Sequence, residues 1–178
     1  MLIKASMILA FAYAVLSASS YPYQKEMESY SAQMQDVEKT KNRSIYMRVS
    51  RNLLELEKLE KDIYSSKSNR DKYLDGLNEL FLKNKSIFLA NLLLDKVSRY
   101  GDISSKDFVG KYLASPARYL YDLKKCRGFL FYGITEEVVS KNNTKALSVY
   151  KEGMSSCPYS KDKSVGLAIH SRYNILKY

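Results

Sequence analysis

The side chains able to do chemistry are few, and their spacing argues against catalysis. His170 is the one histidine of the chain, so a Ser-His-Asp triad would have a single candidate base. It sits in the tail and reads as a surface or half-buried residue. Glu136 and Glu137 are adjacent carboxylates. Adjacent helical residues point about 100° apart, so the pair cannot flank one scissile bond. Thr135-Glu136-Glu137 reads instead as a helix start, with its acids complementing the helix dipole. No nucleophile elbow, phosphate-binding glycine loop or zinc-protease motif occurs. A zinc site needs about four ligands, and two cysteines with one histidine do not supply them. The expectation is a protein that is not an enzyme and has no cofactor and no metal.

Cys126 and Cys157 allow one pairing in an oxidising compartment. The bridge would close a loop of about thirty residues, worth roughly 3–4 kcal/mol in chain entropy. Three N-glycosylation sequons are present, starting at Asn42, Asn84 and Asn142, and none has proline in its middle position. The densest basic cluster is Arg118, Lys124, Lys125 and Arg127. On a helix from Pro116, Arg118, Asp122 and Lys125 share the face opposite Leu120 and Leu123, flanked by Lys124 and Arg127. That is a candidate outward stripe for an anionic partner.

Charge is uneven along the chain. Residues 21–105 carry 15 basic and 13 acidic side chains, whereas residues 106–178 carry 13 basic and six acidic. Such an excess attracts sulfated glycans, anionic lipid headgroups and acidic proteins, or serves only as a solvated face. The compartment decides among partners. Lys4, the apolar stretch 7–16 and the small residues 17–20 form the three parts of a signal peptide. Cleavage after Ser19 or Ser20 leaves a mature chain of about 158 residues, enough for one domain with its own core. An extracellular protein or a sulfated glycan is therefore the expected partner. Nucleic acid is not, since no RNA- or DNA-binding signature is present. No later segment is long enough to span a bilayer, which takes about 20 apolar residues.

The elements that position these residues read as helices. Met27, Tyr30, Met34 and Val37 mark one face, and Val49, Leu53, Leu56 and Ile63 a second, ending near Ser66. Ser68 with Asp71 reads as the next helix start, with Tyr73, Leu74, Leu77, Leu80 and Phe81 inward. Ser86 caps a helix over 87–100, closed by Gly101, or one helix runs through both. Ser104 or Ser105 opens a short helix with Phe108, Val109, Tyr112 and Leu113 inward. Ser115-Pro116 predicts a new start, with Tyr119, Leu120, Leu123 and Cys126 on one side. Residues 129–134 read as a buried turn or a short strand. A helix with Ala146, Leu147 and Tyr150 closes at Gly153, and the tail fits a helix or a strand. The sum is an all-α, bundle-like single domain over 21–178, with about seven helices and one disulfide. Two functions suit it. One is a secreted binding protein acting through its basic C-terminal surface. The other is an extracellular carrier with a cavity around Leu77, Phe81, Phe88, Leu92 and Tyr119, holding a small apolar ligand.

Overall fold

The computed structural model describes residues 43–63, 66–158 and 162–178, with side chains from Val49 onward. The leader over 1–20, the apolar periodicity of 27–37 and Asn42 lie outside the described residues. Eight helices account for almost all the rest: α1 (Arg43–Lys61), α2 (Lys67–Asn84), α3 (Ile87–Tyr100), α4 (Lys106–Tyr112), α5 (Ala114–Asp122), α6 (Cys126–Val138), α7 (Asn143–Ser156) and α8 (Lys163–Lys177).

Short polar side chains start most of them. Ser66, Ser86, Ser105, Asn142 and Asp162 accept hydrogen bonds from the backbone N–H three residues on, satisfying a donor that the helix itself leaves open. The cap of α2 is Ser66 rather than Ser68, so Asp71 lies in the second turn of that helix. α2 and α3 are separate helices, divided at Lys85, whose backbone turns left-handed at φ 37°.

The largest departures from the sequence pattern surround α6. Residues 129–134 are neither turn nor strand but the middle of one helix, and Gly128 to Thr135 are all buried. A helix apolar on every side has no amphipathic stripe to read. Its two glycines, which look like breaks, are contact points. A β-carbon on Gly128 would stand 2.2 Å from the Tyr121 backbone nitrogen on α5, and one on Gly133 would stand 2.1 Å from the Tyr150 ring on α7. Neighbouring elements approach too closely for any side chain there. Glu136 and Glu137 consequently fall in the last turn of α6, not the first turn of a new helix. α5 starts at Ala114, with Leu113 shared between α4 and α5 and no side-chain cap. Pro116 lies in its first turn, where no intrahelical donor is lost. α5 stops at Asp122, leaving Leu123 44% exposed and Cys126 at the head of α6. α7 passes Gly153 to end at Ser156, because Gly153 packs beneath Phe129 instead of closing the helix. The tail is helical.

α6 is the centre of the C-terminal half, packed by α4, α5, α7 and α8. α1, α2 and α3 pack in sequence, and α3 lies against α5. One continuous apolar core runs from Val49 to Ile169 through both halves. In the N-terminal half the Glu60 carboxylate gathers Lys96, Tyr100 and Tyr73, binding α1 to α3 and α2. Burial opposes its charge, but hydrogen bonds from Lys96 and Tyr100, the Lys96 charge and the Tyr73 hydroxyl hold it below the usual carboxylate range.

Candidate binding surface

Cys126 and Cys157 form a disulfide, their α-carbons 5.5 Å apart. It joins the first residue of α6 to the residue that ends α7. The two helices therefore make an antiparallel hairpin, with the bridge at one end and the 139–142 turn at the other. At 1.5 Å per residue, α6 separates those ends by about 20 Å.

The four residues of the basic cluster divide. Arg118 and Lys124 meet on an aromatic stack, where the Tyr121 ring lies 4.7 Å from Tyr132 and 5.4 Å from Phe129. The Arg118 guanidinium sits 5.1 Å from Tyr132, and the Lys124 ammonium 4.8 Å from Tyr121. Each also holds an acid, Arg118 with Asp122 at 2.9 Å and Lys124 with Glu152 at 2.5 Å. Hydrogen bonds from Lys124 and Tyr121 lower the Glu152 carboxyl, and the bond to Glu152 raises the Tyr121 hydroxyl. Arg127 turns to α3, bonding Asp95 at 3.0 Å and the Asn91 carbonyl at 3.2 Å. Lys125 is exposed and has no ion-pair partner among the described residues.

Sequence reasoning misses Asp95 and Glu152 as partners, because they lie 32 and 28 residues from their cations. It misses the aromatic stack too, although Phe129 and Tyr132 have the i, i+3 spacing of one helix face. Among the 13 cations of 106–178, Lys111 and Arg172 are also paired, with Asp75 and Glu137. Lys161 lies outside the described residues. The other exposed lysines, Lys106, Lys141, Lys145, Lys151, Lys163 and Lys177, have no ion pair among the described residues.

The remaining candidates sit apart from this surface. His170 is half-buried on α8. Glu136 and Glu137 diverge, Glu137 accepting from the Tyr150 hydroxyl and from Arg172. Those bonds offset the cost of an acid at a helix C-terminus. Asn84 ends α2 and Asn142 caps α7. No group of three potential metal ligands occurs among the described residues, and no helix there is long and apolar enough to cross a membrane. Leu77, Phe81 and Phe88 belong to the packed core, with Leu92 and Tyr119 against it. Phe81 meets Tyr119 edge-on at 5.6 Å. A groove of about 630 Å³ opens elsewhere, between α1 and α2, lined by Leu56, Leu80, Glu55, Glu79 and Lys83 among others. Comparison with known proteins returned no match, whether to a family model, a curated protein or a solved structure.

Proposed function

We propose that this chain is a secreted, non-catalytic binding protein whose basic, disulfide-anchored end engages an anionic extracellular macromolecule. The observation that carries the reading is the position of three of the seven exposed lysines of residues 106–178 that have no ion pair among the described residues. Lys125 precedes Cys126, while Lys151 and Lys163 each stand six residues from Cys157. These exposed ammonium groups lie just before α6, on α7 and at the start of α8; the bridge joins α6 to the end of α7, and α8 packs against both. Opposed charges on paired cations cancel at short range, so unpaired lysines set the outward potential. Screening at 0.15 M leaves a reach of about 8 Å, so a useful site needs several such charges held near each other.

The leader pattern and the disulfide support secretion. The carboxylates of Glu60, Glu137 and Glu152, each engaged by a cation and a tyrosine, support a structural rather than a catalytic use of acids. A sulfated glycan is the test partner. Retention on a heparin column to salt above about 0.15 M is the expected result, since a working surface must survive physiological screening. Elution below that salt overturns the reading.

The groove between α1 and α2 favours one second reading, carriage of a small ligand, because its volume exceeds the roughly 300 Å³ at which ligand sites begin. Its charged rim suits an amphipathic occupant better than a wholly apolar one. Native mass spectrometry of protein from its source tests this: a retained small-molecule mass supports carriage, and a bare polypeptide and glycan mass excludes it.

A further inference from the structure

Two described sequons share a sequence pattern but not an environment. At Asn84-Lys85-Ser86 every residue is committed to the junction of α2 and α3. The Asn84 Nδ2, the atom to which a sugar would attach, donates to the Leu80 carbonyl at 2.8 Å. Lys85 is held left-handed, and its carbonyl accepts from the Tyr119 hydroxyl at 2.6 Å. Ser86 is 3% exposed, and its hydroxyl caps α3. At Asn142-Asn143-Thr144 all three residues are exposed. Asn142 also caps a helix, but through Oδ1, which accepts from the Lys145 N–H at 2.9 Å. Substitution on its Nδ2 leaves that bond intact.

We infer that the folded, secreted protein carries an N-linked glycan at Asn142 and none at Asn84. In the transfer, the Asn142 Nδ2 forms a bond to the anomeric carbon of a lipid-diphosphate-linked oligosaccharide. The bond from that carbon to the diphosphate breaks, the lipid diphosphate leaves, and the amide nitrogen gives up one proton. Asn142 stands at the 139–142 turn, the end of the α6–α7 hairpin away from the disulfide. A glycan there projects about 20 Å from the proposed binding end, by the length of α6, and leaves it uncovered. At Asn84 a glycan would disturb a bond that the last turn of α2 uses and crowd the wall of the α1–α2 groove.

The inference rests on the secreted reading, and the test separates the two. The full chain with Asn42→Gln is expressed in a eukaryotic secretory host, and monomer from the medium is mapped by peptide mass before and after enzymatic deglycosylation. One glycan, on the Asn142 peptide, is expected. Thr144→Ala, which destroys the sequon but keeps the Asn142 cap, should abolish the whole glycan mass without loss of secretion. A glycan on Asn84 in the native monomer overturns the inference, and so does secreted protein with no glycan on either site. Retention of the unprocessed chain inside the cell overturns the secreted reading instead.

Discussion

The two halves of the molecule differ in charge balance and in covalent support. In α1–α3 a half-buried carboxylate, Glu60 on α1, collects a lysine and two tyrosines from α3 and α2, and residues 21–105 carry 15 cations and 13 acids. In α5–α8 Tyr121 stacks on the buried Tyr132 and Phe129, cations outnumber acids about two to one, and a covalent bridge fixes one end of the α6–α7 hairpin. Both halves tie helices together through a carboxylate that holds a cation and a tyrosine, Glu60 in the first and Glu137 and Glu152 in the second. The second half adds the disulfide and a surplus of charge facing outward.

Glycine substitution separates the halves most strongly. Gly128→Ala places a β-carbon against the α5 backbone, which cannot move without displacing the helix. A loss of about 3 kcal/mol or more is expected in urea unfolding. At Gly76 the obstructing atom is the mobile end of Leu56, so Gly76→Ala should cost under about 1 kcal/mol. Equal losses at the two sites would break the contrast.

Removal of the bridge comes next. Cys157→Ser should cost roughly 2–4 kcal/mol, and hydrogen exchange should rise in α7 and α8 before α2 and α3. Uniform exchange across both halves would contradict the local role assigned to the disulfide.

Glu60→Gln leaves Lys96, whose side chain is 17% exposed, without its counter-ion. A loss of about 1–3 kcal/mol is expected. The same group gives a pH signature. A folded carboxyl held below its unfolded value, about 4.3, contributes stability that is present above that pH and is lost as pH falls through the folded value. Acid unfolding of wild type should therefore include a decline below about pH 4 that Glu60→Gln lacks. Identical acid curves would show that Glu60 gains nothing from its partners.

How much of this was legible in sequence depends on where the information sits. Apolar 3–4 spacing marks α2 and α3 and Ser86 marks the start of α3, because these signals are local, whereas the cap of α2 falls at Ser66 and not at Ser68. Residues 126–138 defeat that reading. Burial on all sides erases the stripe, and Gly128 and Gly133 mimic breaks while serving contacts made by Tyr121 and Tyr150 from other helices. The basic cluster is legible as composition and not as potential, since the pairing of Lys124 with Glu152 and of Arg127 with Asp95 exists only after folding. The cysteine pairing needed no geometry, because two cysteines have one partner each.

The charge contrast has the smallest effect on stability, below about 0.5 kcal/mol per exposed residue, yet the proposed function rests on it. The measurement is heparin elution salt for two triple-alanine variants. One removes Lys125, Lys151 and Lys163 near the disulfide. The other removes Arg51, Lys67 and Lys72, cations of the N-terminal half with equal total charge. The first should elute at clearly lower salt than wild type and the second close to wild type. Equal shifts, or a larger shift from the N-terminal variant, would contradict a binding surface built at the disulfide end.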